Sequence, residues 1–142
     1  MNLLDATNQC VHYTNPEDKK DISFNSLDIG LYAQLVNEYH KDITERFKNV
    51  KDFLTEEEKT TLARKIFKKS YSIDEVKDFT ISDNNGFAFV LFLGTRKTSP
   101  DITIDYIKSM KYSEELTKIV YQLQGYELIK TEEMDATEIK KV

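Results

Sequence analysis

The feature that most constrains the fold is one long run of apolar side chains at three- and four-residue spacing between residues 26 and 50. This spacing places the apolar side chains on one face of an α-helix, which turns once every 3.6 residues. We predict an amphipathic helix of about 24 residues, roughly 36 Å long, with Ser26 as N-cap and Asp28 in its first turn. Its apolar stripe consists of Tyr32, Leu35, Val36, Tyr39, Ile43, Phe47 and Val50.

Two short stretches before this helix alternate apolar with polar residues, as half-exposed β-strands do. They are Val11-His12-Tyr13 and Ile22-Ser23-Phe24, and a polar segment that contains Pro16 separates them. Because proline has no N–H to donate to a strand ladder, it favours a turn here. The pattern predicts an N-terminal β-hairpin.

Two capping boxes predict two further helices after the long one. Thr55 precedes Glu58 by three residues, and Ser72 precedes Glu75 by three. In this arrangement the hydroxyl accepts from one backbone amide and the glutamate from another. We expect the second of these helices to be short and to carry Val76. The buried stripe predicted for the first consists of Leu62, Ala63, Ile66 and Phe67.

The pattern from residue 79 to residue 107 favours strands. Residues 79–82 and 87–93 flank an Asn-Gly pair at 85 and 86, and this pair supplies the positive φ of a tight hairpin turn. Because residues 87–93 are apolar on both faces, we expect them to form the central strand. Alternation at Ile102, Ile104 and Tyr106 favours a strand over 101–107, although Ser99-Pro100 also resembles a helix start.

The pattern after residue 112 predicts one more helix and one more strand. Ser113 opens the helix, and Gly125 ends it at the C′ position. Residues 126–130 follow as a returning strand. The predicted inward side chains of the helix are Leu116, Ile119, Val120 and Leu123.

These elements together predict an α+β fold. It consists of an N-terminal β-hairpin, three helices of which one is long and amphipathic, and then a small, mostly antiparallel sheet with one packed helix. We expect residues 1–130 to form a single domain, because cores are usually organised in units of about 100–200 residues. Residues 131–142 are expected to be a charged C-terminal tail.

The charge balance disfavours nucleic-acid partners, and the shortness of the apolar runs disfavours a membrane span. The chain has 20 basic and 25 acidic residues, a net charge of −5. Only three of the basic residues, Arg46, Arg64 and Arg96, carry the guanidinium that best contacts phosphates. No apolar run approaches the ~20 residues of a membrane span.

Cysteine usage and the lysine bias indicate where the protein acts. The single cysteine, Cys10, cannot form an internal disulfide and suits a reducing compartment. The excess of lysine over arginine is typical of AT-rich coding, which indicates a low-GC bacterium or a phage or plasmid that lives in one. Of these we expect a phage or mobile-element protein. We expect it in the host cytoplasm or in a virion.

No residues have the spacing of a catalytic, cofactor or metal site. Cys10-Val11-His12 with the distant His40 falls short of structural zinc, which needs four ligands that usually come in two close pairs. Asp101 and Asp105 share a face only if residues 101–107 form a strand. We therefore expect no enzymatic activity, no cofactor and no metal.

The long helix carries the strongest functional signal. It is longer than a small sheet needs, and tyrosine tolerates both burial and water. Candidate interface residues are Tyr32, Leu35, Tyr39 and Ile43, although the two tyrosines also suit the edge of the chain's own core. We expect a non-enzymatic interaction or assembly protein that self-associates or docks on a protein partner. A virion or assembly component and an inhibitor of a host protein both fit this description.

Two other functions stay open. The basic cluster at residues 64–69 lies on a predicted helix that another helix follows, as in a small winged-helix-like transcriptional regulator, but that next helix is acidic. The loop at 94–99 suits a small anionic-ligand binder, although a solvated connection between strands explains it better. The candidate anion contacts in this loop are Thr95, Arg96, Lys97 and Ser99.

Overall fold

A computed structural model describes residues 10–126. In this part of the chain the elements are β1 (Cys10–Thr14), β2 (Asp21–Asn25), α1 (Ile29–Val50), a 3₁₀ turn (Lys51–Phe53), α2 (Glu56–Lys68), α3 (Ile73–Ser82), α4 (Asn84–Gly94), α5 (Ile104–Ser109) and α6 (Glu114–Leu123). The described chain is therefore mixed and mostly helical, with one two-stranded antiparallel sheet. The predicted order, three helices followed by a sheet, is wrong. The predicted strand at 126–130 and the tail at 131–142 lie outside the described residues, apart from Tyr126.

The N-terminal hairpin is confirmed. β1 and β2 pair antiparallel, with Tyr13 opposite Ile22 and Val11 opposite Phe24. Because successive side chains of a strand point to opposite faces, Tyr13, Ile22 and Phe24 enter the core while His12 and Ser23 point the other way.

Helix α1 begins later than predicted. Its N-cap is Asp28, whose Oδ1 accepts a hydrogen bond from the Leu31 amide at 2.8 Å, while Ser26 is buried before the helix starts. The backbone is still extended at Asp28, so Ser26 cannot act as the cap. The Asp28 carboxylate also pairs with Lys97 Nζ at 2.8 Å. This contact joins the start of α1 to the segment that follows α4.

Both capping boxes are confirmed. The Thr55 hydroxyl accepts from the Glu58 amide and the Glu58 carboxylate accepts from the Thr55 amide, at the start of α2. Ser72 and Glu75 make the same reciprocal pair at the start of α3.

The predicted β-hairpin at 79–93 is wrong, because these residues form the end of α3 and the whole of α4. Asp83 separates the two helices and caps α4, where its Oδ1 accepts from the amides of Asn85 at 2.8 Å and Gly86 at 3.3 Å. Gly86 does not supply a turn. A Cβ at this position would lie 2.9 Å from the carbonyl carbon of Phe79. Glycine is needed here because α4 starts against the backbone of α3.

Helix α4 is the centre of the fold, as predicted for residues 87–93, although it is not a strand. The hairpin strand β2 and the helices α1, α3, α5 and α6 all contact it. A helix surrounded in this way is apolar on every side, so its sequence shows no helical period. Its buried side chains include Ala88, Val90, Leu91 and Leu93.

The predicted strand at 101–107 is also wrong. Residues 104–109 form the short helix α5, which Thr103 caps by accepting a hydrogen bond from the Tyr106 amide at 3.1 Å. The face predicted for Asp101 and Asp105 does not exist, because Asp101 precedes the helix and Asp105 lies in its first turn.

Helix α6 is confirmed in its start, its buried face and its end. Ser113 is the N-cap, and Gly125 has a φ of 84° directly after the C-cap residue Gln124. The four predicted inward side chains, Leu116, Ile119, Val120 and Leu123, are all buried. Between residues 10 and 126, no helix is both long enough and apolar enough to cross a lipid bilayer.

Candidate interaction surface

Residues 36–75 form a segment that we call the arm. It contains the C-terminal part of α1, the 3₁₀ turn, α2 and the connection to α3. Leu35 and Val76 border the arm and are almost completely buried, but no side chain between them is. Within the described residues, α2 packs mainly on α1. The arm therefore contributes little to the chain's own core.

The two faces of α2 differ in exposure. The face toward α1 is partly buried and includes Leu62, Lys65 and Ile66. Ala63 and Phe67 were predicted to belong to the buried stripe, and this is wrong because both are exposed. Phe67 lies about 140° around the helix from Leu62, so one neighbouring helix cannot cover both. The outer face consists of Glu56, Thr60, Ala63 and Phe67, which are all exposed.

Two phenylalanines of the arm are almost fully open to solvent. Phe67 is 89% exposed and Phe53 is 87% exposed. Tyr112, outside the arm, is 72% exposed but packs against the Phe87 ring with centroids 5.6 Å apart. Exposed apolar side chains are typical of interaction sites when they form a continuous patch, whereas single ones such as Ile29, 91% exposed outside the arm, are common on monomers. The sequence pattern did not identify Phe53, and it assigned Phe67 to the buried stripe. The angle of about 140° between Leu62 and Phe67 is wider than one neighbouring helix covers, and this width was the signal that Phe67 is exposed.

Aromatic packing joins the arm to the core. Tyr39 lies edge-on to Tyr71, with ring centroids 5.0 Å apart, and 5.2 Å from the ring centroid of Phe79. The Tyr71 hydroxyl and His40 Nδ1 are 2.5 Å apart, within hydrogen-bond distance. Burial raises the pKa of both Tyr39 and Tyr71, so the two phenols stay neutral at physiological pH.

Ion pairs support the same junction. Arg46 pairs with Asp42 at 2.9 Å and with Asp83, the N-cap of α4, at 2.5 Å. Burial raises the pKa of Asp42, and the Arg46 charge opposes that shift. Lys65 of α2 pairs with Glu75 of α3. Of these pairs, only Arg46–Asp83 joins the arm to a residue outside it. The Lys65–Glu75 pair joins α2 to the first turn of α3 within the arm.

The four predicted interface residues do not form one exposed surface. Leu35 is completely buried in the chain's own core, so a partner cannot reach it. Tyr32 and Tyr39 are partly buried and pack against that core, and Ile43 is partly buried within the arm. Of the four residues, only Ile43 is not among the side chains that form or cover the core.

The residues predicted to contact an anion make hydrogen bonds and an ion pair within the protein itself. The Arg96 guanidinium donates to the carbonyls of Phe92 and Ile102, and it lies over the Phe92 ring at 3.9 Å from the centroid. Thr95 is buried and donates to the Phe92 carbonyl at 2.6 Å.

The two remaining residues of this loop also have partners within the chain. Lys97 pairs with Asp28, and Ser99 Oγ accepts from the Ser23 amide at 3.2 Å. These bonds hold the loop against β2 and α1, and the Lys97 ammonium is already paired with a carboxylate of the chain itself.

The other candidate residues stay apart. Cys10 Sγ lies 3.9 Å from His12 Nε2, while His40 contacts Tyr71 on the arm. From residue 10 to residue 126, no group of three or more His, Cys, Asp or Glu side chains could hold a metal ion.

Comparisons of this chain with protein-family models, with curated proteins and with solved structures found no match. A functional proposal therefore depends on the chain's own residues.

Proposed function

We propose that this chain is a non-enzymatic interaction or assembly protein, and that the arm is the part that binds another protein chain. The observation that carries the proposal is the exposure of Phe53 and Phe67 on a segment without any fully buried side chain. The surface that we propose lies further along the chain than the predicted interface at Tyr32, Leu35, Tyr39 and Ile43.

A partner would bind the arm because covering its exposed apolar side chains is favourable in free energy. A helix as short as α2 is marginal by itself in water, and here one neighbouring helix supports it. Aromatic side chains bury about 150–250 Å² each when they are covered, at roughly 25 cal/mol per Å² of apolar surface. Covering Phe53 and Phe67 would therefore stabilise both a complex and the arm itself.

Origin and location remain part of the proposal. The excess of lysine over arginine supports a phage or mobile-element protein, which acts in the host cytoplasm or in a virion. A virion or assembly component and an inhibitor of a host protein both use such a surface. The regulator and the anionic-ligand binder have weaker support, because Glu75 pairs with Lys65 and because Arg96 Nε and Nη2 donate to backbone carbonyls of the chain itself.

Site-specific photo-crosslinking in the organism of origin tests the proposal. A benzophenone-bearing amino acid replaces Phe53 or Phe67 in separate variants, and Tyr112 in a control that is also aromatic and exposed. We expect defined protein adducts from positions 53 and 67 that position 112 does not give. Absence of adducts at both arm positions, or the same adducts at position 112, would show that the arm is not the binding surface.

A further inference from the structure

We propose that the outer face of α2 is a self-association surface, on which a second copy of this chain docks with its own α2 running antiparallel. The inference rests on the proposed function, because it names the partner of the arm. It follows from the distribution of charge along α2 and from the small and aromatic residues on its exposed face.

Charge along α2 is divided by sign. The first turn is acidic, from Glu56 to Glu58, and the last turns are basic. Glu58 serves the capping box and Lys65 pairs with Glu75. Within residues 10–126, Glu57, Arg64 and Lys68 take part in no ion pair of the chain itself. These three side chains are exposed and lie on the same flank of the outer face.

Antiparallel pairing brings these opposite charges together. A two-fold axis level with the middle of the outer face sets Thr60 of one copy opposite Ala63 of the other. Glu57 of each copy then falls between Arg64 and Lys68 of the second copy, about 3 Å along the axis from each. A two-fold pair repeats every contact, so the complementary set occurs twice. Parallel pairing would instead place acids beside acids and bases beside bases.

The apolar residues suit the same arrangement. Thr60 and Ala63 are small, so the two helix axes can approach to about 8–10 Å. Phe67 of each copy lies opposite the N-terminal end of the other α2, which is close in sequence to Phe53. The pair thus has a centre of small residues that allows close approach, two aromatic anchors and a charged rim; aromatic anchors and a polar rim are common features of protein interfaces.

The size of the surface predicts a weak dimer. Helix α2 is about 20 Å long, and a face one helix wide buries less than the roughly 800 Å² per partner of a standard interface. We expect a dissociation constant in the micromolar range.

Sedimentation velocity with charge-swapped variants tests the inference. Purified wild-type chain is expected to shift from monomer to dimer between about 1 and about 200 μM. Glu57→Lys places like charges across the interface and should raise the dissociation constant by at least about tenfold. The double variant Arg64→Glu/Lys68→Glu should do the same for the same reason.

An equimolar mixture of these two variants gives the decisive result. Every cross-interface pair in the mixed dimer is again of opposite sign, so we expect association to return. Glu115→Lys is the matched control, because Glu115 occupies in α6 the position that Glu57 occupies in α2, and both are exposed. This control should dimerise as the wild type does.

Phe67→Ser provides a variant that does not depend on charge. The side chain is exposed in the monomer, so the fold should keep its stability while the dimer weakens by about tenfold or more. A wild-type chain that stays monomeric across the whole range overturns the inference. A dimer that tolerates Phe67→Ser, or a mixture of charge variants that stays monomeric, also overturns it.

The outcomes separate this inference from the proposed function. A monomeric chain whose arm positions crosslink to a different protein keeps the proposed function and removes self-association. Dimers that crosslink copy to copy through position 67 support both.

Discussion

Single residues set how closely the elements of this protein approach one another. Gly86 lets the first turn of α4 lie against the backbone of Phe79, and Gly94 lets its last turn lie against Leu123, where a Cβ would be 2.6 Å from a methyl carbon. Gly30 differs, because its nearest neighbour would be an Asp28 oxygen at 3.4 Å. Backbone packing therefore requires glycine at position 86. At position 94 the close neighbour is the end of a leucine side chain, and at position 30 no close neighbour is present among the described residues.

Gly86→Ala and Gly30→Ala should have opposite effects on stability. The first forces backbone away from backbone at the α3–α4 contact, so we expect the free energy of unfolding to fall by about 1–3 kcal/mol. The second replaces glycine in an open helical position, so a gain of up to about 1 kcal/mol is expected. Urea denaturation of both variants measures this. Equal effects would contradict the role assigned to Gly86.

Asp28 should make stability depend on acid pH. The hydrogen-bonded Lys97 ammonium lowers the pKa of this carboxyl, and the Leu31 amide lowers it further. The charged form is therefore favoured in the folded state. Its contribution is present above the ordinary aspartate pKa of about 3.9 and is lost as the pH falls through the lowered value.

Asp28→Asn isolates this contribution, because asparagine keeps a capping oxygen but loses the charge. We expect the variant to be less stable than wild type at about pH 7 and to approach the wild type near pH 2. Urea denaturation at both pH values measures the two differences. A difference that does not change with pH would exclude the ion pair as its source.

Among the elements, α4 determines how the others are arranged. It is short, yet one strand and four helices contact it, and its apolar residues serve all of these neighbours. Its buried side chains therefore support several interfaces at once, whereas those of α2 support one.

Leu91→Ala tests this central role. Leu91 is almost completely buried, and truncating a leucine in such a position costs about 2–5 kcal/mol because a cavity remains. Ile73→Ala is the control, since Ile73 is 66% exposed at the start of α3. Denaturant titration should show a large loss for the first and a small change for the second. Similar losses would mean that α4 is not the centre.

At the scale of the whole molecule, the described residues 10–126 consist of a body around α4 and of the arm, residues 36–75. The two are joined by the Tyr39–Phe79 ring contact and the Arg46–Asp83 ion pair. Regions with few buried contacts open at lower free energy than the core does. The arm should therefore open locally without unfolding of the body.

Hydrogen exchange followed by mass spectrometry measures this difference. In dilute solution we expect α2 amides to exchange at least about tenfold faster than those of α4. Protection of the α2 amides should rise with protein concentration if the proposed dimer forms, because only the folded arm can dimerise and association therefore stabilises it. Equal protection of α2 and α4 in dilute solution would contradict the division into body and arm.

The sequence predicted those elements whose signals are local. Thr55 with Glu58 and Ser72 with Glu75 start their helices through bonds within one turn, and Ser113 and Gly125 bound α6 in the same way. The alternation in β1 and β2 was sufficient because one face of that hairpin is exposed. For the candidate surface, the sequence pattern indicated the long helix α1 but not Phe53 or the exposed face of α2.

Residues 79–107 depended on tertiary structure. Phe87 to Leu93 fits a central strand and a surrounded helix equally well, and only the five elements packed around it show that α4 is a helix. The exposure of Phe67 likewise depends on how many helices cover α2. Local hydrogen bonds and one-sided amphipathic patterns depend on residues that are close in sequence. Burial on every side, and an apolar residue left uncovered, are properties of the assembled chain, because they depend on residues distant in sequence.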